Sequence, residues 1–161
     1  MSPHIENYTM ERLDSTDLAI LRILQRNGRI TTKELAERVN LSSTPVFERV
    51  KRLEREGYIK RYVAQLDAEK LNRGFVVFCC VKLSTLNRDI ALNFVDTVKR
   101  VEQVSECYNI SGEYDYLLKI HAPDMRSYQE FILNVLGRID SLGSLTSMFV
   151  MDQIKHEDIP I

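Results

Sequence analysis

The chain has 161 residues, a mass of 18.7 kDa and a formal charge of −1, with 44% apolar and 28% charged residues. That length fits one medium domain or two small ones, and the composition is that of an ordinary soluble globular protein. No apolar run approaches the roughly 20 residues that cross a bilayer, and the opening MSPHIENYTMER lacks the basic start and apolar centre of a secretory signal. Cys79, Cys80 and Cys107 are odd in number and show no C-x-x-C spacing, so they read as buried thiols in a reducing cytoplasm. Charge is unevenly spread. Residues 1–73 carry 14 basic and 11 acidic side chains, residues 74–161 carry 8 and 12. A mildly basic half followed by an acidic half suggests two domains with different partners.

Residues 1–12 read as a flexible tail. Asp14 is placed to cap a helix whose Leu18, Leu21 and Leu24 recur at helical spacing and which Asn27-Gly28 ends. Thr31 with Glu34 three residues on forms a capping box for a short second helix carrying Leu35 and Val39. Asn40 tolerates the left-handed conformation that stops it. Thr44 then caps a third helix with Pro45 at its first position, where the missing N–H costs nothing. Only the short turn Asn40 to Ser43 separates helices two and three, the spacing of a helix-turn-helix.

The third helix carries the charge. NLSSTPVFERVKRLEREGYIKR, residues 40–61, holds six cations against three acids. At about 100° per residue, Val46, Phe47, Val50 and Leu53 share one sector of roughly 120°. Arg49, Lys51, Arg52 and Arg55 are expected on the opposite side. Ser42, Ser43 and Thr44 at the helix start add hydroxyls and backbone N–H groups where a phosphate can dock. Such a helix suits the DNA major groove, its early residues near base edges. After Gly57, residues 58–67 alternate like a strand, a wing that offers Lys60 and Arg61 to neighbouring phosphates. Residues 13–67 therefore read as a winged helix-turn-helix and 68–73, AEKLNR, as a linker.

A different rhythm begins at Gly74. GFVVFCCVKLS is a near-continuous apolar strand. Ile90, Phe94, Val98 and Val101 mark an amphipathic helix, and strands near 104–110 and 116–121 flank SGEYD. Asp124 caps a helix bearing Tyr128, Phe131, Ile132, Val135 and Leu136. Past Ser141-Leu142-Gly143, LTSMFVMDQI reads as the last strand. The order β-α-β-β-α-β over residues 74–161 is ferredoxin-like, two helices on one antiparallel sheet, so the whole chain is α+β. The sheet's other face has a reason to pair with a second copy.

LDSTDLAILRILQRNGRIT, LSSTPVFERVKRLEREGYI and SGEYDYLLK resemble, in order and over about residues 13–156, the Lrp/AsnC family of feast/famine transcription regulators. The resemblance implies a DNA-binding regulator with a winged helix-turn-helix and a C-terminal domain that dimerises and stacks into larger assemblies, an octamer among them. It implies imperfect palindromic operators on double-stranded DNA, a nucleoid-associated cytoplasmic protein, and amino-acid effectors bound where ligand domains of adjacent dimers meet. Family members usually read L-S-P-T-P-C-L-E-R-V where this chain has Ser43, Val46 and Phe47; the last two are expected on the packed side.

On the residues alone, SGEYDY is either a tight hairpin, with Gly112 supplying an unusual backbone angle and Asp115 capping the turn, or the edge of a pocket. The resemblance favours the pocket: Gly112 lets a ligand approach the backbone, Asp115 receives an α-ammonium group, and Tyr116 lies beside them. Met125, Met148, Phe149 and Val150 match positions lining the family's effector cleft, and flexible thioethers suit a medium-sized apolar ligand such as methionine or leucine. No metal-spaced His/Cys cluster, P-loop or nucleophile elbow is present, so no catalytic residue, metal or cofactor is expected. The competing reading is an architectural DNA-binding protein of the same fold without an effector.

Overall fold

The computed structural model describes residues 13–85, 87–156 and 159–161; the expected N-terminal tail falls outside them. Contacts divide the chain after Gln65, and the last residues from His156 group with the first unit, leaving Leu66–Lys155 as the second.

The first unit is built from α1 (Ser15–Arg26), α2 (Thr32–Arg38) and α3 (Ser43–Arg55). Asp14 caps α1 and Thr31 caps α2, each in a reciprocal capping box, with Asp17 and Glu34 at the third helical position. Asn40 takes φ 54° and stops α2 as expected. The cap of α3 is corrected: the helix begins at Ser43 with Ser42 as N-cap, so Pro45 is the third helical residue. Proline is tolerated there because that N–H belongs to the first turn and has no helical acceptor in any case. Ile20, Leu35, Ala36, Val46 and Leu53 form the core, with Leu21, Leu24, Ile30, Val50 and Ile59 packed around it.

A carboxylate joins α1 to α3. Asp17 is only 1% exposed. Its Oδ1 accepts from Arg49 at 2.8 Å, and its Oδ2 accepts from Arg52 at 2.6 Å and from the Asp14 backbone N–H at 3.1 Å. Arg49 also reaches Asp14 at 2.6 Å. The Asp14 carboxyl is held below its ordinary value, first by the Asp17 N–H and then by Arg49.

The expected wing strand is not formed: among the described residues, no strand lies between residues 58 and 67. An extended segment needs a neighbour for its ladder groups, and here the backbone bonds lie at its ends, Ile59 N–H to Leu53 O at 3.2 Å and Leu71 N–H to Asp67 O at 3.3 Å. Tyr62 Oη donates to Glu54 at 3.1 Å instead. The linker is more ordered than expected. Asp67 accepts from Lys70 N–H, and Arg73 N–H bonds Ala68 O at 2.8 Å, making a capped helical turn.

The second unit contains β1 (Phe75–Leu83), α4 (Arg88–Val98), β2 (Val104–Asn109), β3 (Tyr116–Ala122), α5 (Met125–Asn134), a 3₁₀ turn at Leu136–Arg138 and β4 (Leu142–Phe149). The sheet order is β2-β3-β1-β4 with every pair antiparallel, the expected ferredoxin-like arrangement. Several boundaries move: Val101 falls beyond α4, and β4 ends at Phe149, so Val150 lies just past it. Val135 and Leu136 fall beyond α5, and β4 starts at Leu142 rather than after Gly143. Gly143 works inside the strand, next to a bulge: a Cβ there would come within 2.9 Å of Ser84 N.

Alternation along β1 sorts the faces. Val77, Cys79, Val81 and Leu83 join Phe94, Val98, Tyr116, Leu118, Ile120, Tyr128, Phe131 and Leu136 in the core beneath the helices. Val76, Phe78, Leu117 and Met148 fall by register on the face opposite this core. Cys79 and Cys80 take opposite faces and both are buried, but Cys107 is exposed, which corrects the expectation of three buried thiols. Burial pushes the Cys79 thiol up to about 11.

Removing the Asp17 carboxylate should be the most damaging polar change in the first unit. Truncation that orphans a buried charge pair costs about 3–5 kcal/mol, and the partial exposure of Arg49 and Arg52 (29% and 34%) lowers this to about 2–3. Asp17→Ala should therefore reduce the melting temperature by roughly 10 °C or more, measured by circular dichroism. A drop of less than about 3 °C would show that the two arginines find equivalent partners elsewhere.

Candidate functional site

The candidate nucleic-acid surface is the outer sector of α3. Val46 and Leu53 are buried and Val50 is half-buried, so the opposite sector holds Thr44, Glu48, Lys51 and Arg55. All four are exposed, as are Ser42 and Ser43 at the helix start and Lys60 and Arg61 beyond its end. The N-terminal N–H groups of α3 and these hydroxyls form one edge of the surface, and the cations the other.

Three placements differ from expectation. Arg49 and Arg52 are not opposite the packed side; both are half-buried and turned onto Asp17. Helical periodicity places Cα directions, and the guanidinium reach from a flanking position to a buried carboxylate is invisible to it. Phe47 is not packed away but exposed. Lys51 is exposed yet engaged, its Nζ 2.9 Å from Glu54, whose carboxyl it holds below the ordinary value.

The residues expected to bind an effector separate into two groups within one chain. Gly112, Asp115 and Tyr116 lie where β3 begins. Gly112 has φ 118°, with nothing near its Cβ direction, so it is the backbone angle and not crowding that demands glycine. Asp115 is 7% exposed and firmly held. Its Oδ2 accepts the Leu83 N–H at 2.8 Å, and its own N–H donates to Val81 O at 2.9 Å. Its Oδ1 faces the Lys82 ammonium at 3.4 Å. Met125, Phe149 and Val150 lie at the opposite end of the strands. Phe149 packs on Phe75 and Tyr128, with ring centroids 5.8 and 5.6 Å away, and Val150 N–H bonds Val76 O. Tyr128 also hydrogen-bonds Ser147, and burial pushes its hydroxyl up to about 12.

The register measures the gap. Phe149 pairs with Val77 and Tyr116 with Val81, four residues or roughly 13 Å along β1. Met148 is removed further, since it pairs with Phe78 on the opposite face from Phe149. Lys82, Phe75 and Tyr128 were not anticipated. Lys82 had a signal: a lone cation inside the apolar run CCVKL asks for a partner.

Comparison with known proteins gives the same two parts. Residues 13–60 match a winged helix-turn-helix DNA-binding family and residues 76–160 match the Lrp/AsnC ligand binding domain. The chain belongs to the Lrp/AsnC family. It is 38% identical to the leucine-responsive regulatory protein of Escherichia coli strain K12 over 146 residues, 91% of this chain and 89% of that protein. A Neisseria meningitidis transcriptional regulator crystallised as its L-Met complex shares 37% identity with a TM-score of 0.89, covering 92% of this chain and 97% of that one. An AsnC family regulator from Agrobacterium tumefaciens gives 34% and 0.87, over 91% and 96%. The Lrp/AsnC chain described here is a DNA-binding transcription regulator, and its relatives are regulators too. Among the described residues no group of acidic, His and Cys side chains could hold a metal, and no helix is long and apolar enough to cross a membrane.

The exposed and the engaged arginines of α3 should behave differently. Arg55→Ala should leave the melting temperature within about 2 °C, weaken DNA binding, and lower the slope of log affinity against log salt by about one. Arg52→Ala should lower the melting temperature instead, because it strips Asp17 of a partner. Anisotropy titrations at several salt concentrations give the slope; no change for Arg55→Ala would remove it from the contact surface.

Proposed function

We propose that the second unit binds one small amino acid with an apolar side chain, methionine- or leucine-like, at a site assembled between copies of the chain, and that occupancy shifts the assembly that holds DNA. In this reading residues 13–67 are the DNA-binding domain, 68–73 the connector, and the residues from 74 onward the effector and oligomerisation domain. The protein acts by binding rather than catalysis, in the cytoplasm and on the nucleoid.

The observation that carries the reading is the Asp115 carboxylate. One oxygen is fixed by a backbone N–H, and the other already faces an ammonium group, that of Lys82, at a loose 3.4 Å. An α-ammonium can share or replace that contact. Exposed Met125 and Phe149, backed by Phe75 and Tyr128, supply apolar walls at the other end of the strands. Because the two ends are separate in one chain, an ammonium acceptor from one copy and an apolar wall from another make the complete site. The similar Neisseria regulator with L-Met bound supports this ligand class. The sheet face opposite α4 and α5, with Val76, Phe78, Leu117 and Met148, supports a two-fold dimer, and ligand-bridged dimers would build an octamer. Ser42, Ser43, Thr44, Arg55 and Lys60 are the direct DNA contacts, on imperfect palindromes whose half-sites lie about one helical turn or a multiple of it apart, while Arg49 and Arg52 position the helix.

Calorimetry with L-methionine and L-leucine tests the site on the full chain. Phe149→Ala should weaken binding about tenfold, the value of burying one large apolar side chain, and Asp115→Ala should abolish it. Equal affinity in wild type and Phe149→Ala would place the ligand elsewhere. If none of the twenty amino acids binds, the architectural reading takes its place. In the same samples Phe78→Glu should drive the assembly toward monomers in light scattering; an unchanged mass would acquit the open sheet face.

A further inference from the structure

Phe47 is 47% exposed, although Val46 beside it is completely buried. It is the fifth residue of α3 and stands about 100° round the helix from Val46. One flank of its ring borders a small cavity of about 190 Å³, lined also by Thr32, Leu35, Val50 and Tyr62. Lys51 Nζ lies 5.8 Å from the ring centroid. The remaining surface faces outward with Thr44, Glu48 and Lys51, in the early part of the helix that a helix-turn-helix sets near base edges.

The chemistry of that neighbourhood is selective. Thr44, Glu48 and Lys51 can each hydrogen-bond or pair with a base edge or a phosphate, whereas a phenyl ring can do neither. Phosphates repel an apolar ring and sugar C–H groups are the same at every step, whereas the thymine C5-methyl is the apolar group that marks a base in the major groove. The ring has only two side-chain torsions, so it presents an apolar edge at small ordering cost. We propose that Phe47 is a specificity-determining residue that reads one thymine methyl in each operator half-site. The assignment rests on α3 being the helix that enters the groove.

The test begins with an operator selected by the full-length wild-type protein from a random-sequence duplex pool. Each thymine is then replaced singly by deoxyuridine, which removes the methyl group and leaves the hydrogen-bonding edge intact. Anisotropy at fixed salt should show one position per half-site where the replacement costs wild type about fourfold, the value of one buried methyl group. Phe47→Ala should be indifferent to the same replacement. A repeated selection with Phe47→Gln should move the preference at that position from thymine to adenine, whose N6 and N7 a glutamine amide can pair. A residue that only packs would not redirect base preference. Indifference of wild type to every deoxyuridine, equal losses in wild type and Phe47→Ala, or an unchanged preference in Phe47→Gln would each overturn the proposal. Failure of the wild type to enrich any sequence would defeat the groove placement of α3, and this assignment with it.

Discussion

The Asp17 carboxylate is taken almost entirely out of water, a transfer that costs several kcal/mol for an isolated ion. It is tolerated because three donors converge on it: two guanidinium groups from α3 and one backbone N–H from its own helix cap. That arrangement has a directional consequence. Arg49 and Arg52 lie one turn apart on α3, so fastening both to one carboxylate fixes the rotation of α3 about its axis as well as its distance from α1. Apolar contacts through Val46, Val50 and Leu53 hold the helices together but tolerate small rotations, since hydrophobic burial has no direction. The face that α3 turns outward, from Thr44 to Arg55, is therefore set by electrostatics inside the first unit.

The second unit rests on a different constraint, the period of two in its central strand. Because β1 alternates strictly, its odd-numbered residues from Val77 to Leu83 are committed to the core, and Val76 and Phe78 are left facing away from the helices. The same ruler separates the acceptor at Asp115 from the aromatic group at Phe149 by four residues along the sheet. No side-chain rearrangement closes a gap of roughly 13 Å within one sheet, whose register is pinned by the antiparallel ladders on both sides of β1.

Much of this was legible in the amino-acid sequence. The helix cap at Asp14, the capping box at Thr31, the left-handed Asn40 and the β-α-β-β-α-β order are local signals with local causes, and the structure has them where they were expected. The failures share one physical reason: they are decided by partners distant in sequence. Arg49 and Arg52 look like solvent-facing cations until a buried acid 32 and 35 residues away is in view. Phe47 looks like core because apolar residues usually are, yet α1 and α2 border only one flank of it and leave about half of the residue exposed. Residues 58–67 alternate like a strand but find no ladder partner among the described residues. Met148 and Phe149 share a sequence neighbourhood and, on a pleated strand, oppose each other. As for the candidate site, the outward residues of α3 and the fixed Asp115 could be read in advance, whereas their engagement with Glu54 and Lys82 could not.

The two constraints together suggest how binding and sensing are divided. The Asp17 contacts that orient α3 lie within one chain. In the reading proposed for the effector, the opposite holds: acceptor and apolar wall come from different copies, so ligand affinity exists only in the assembled state. A ligand of that kind acts by stabilising one assembly over another, by no more than its difference in affinity for the two. A difference of about 1–3 kcal/mol changes occupancy by about 5–150-fold. No conformational signal has to travel through α3 for this to work. The number of DNA-reading faces held together is the variable, and for a bivalent protein the spacing and number of linked sites can change apparent affinity by orders of magnitude without any new contact. A rigidly oriented recognition helix suits that logic, because a helix free to rotate would blur the gain that assembly provides.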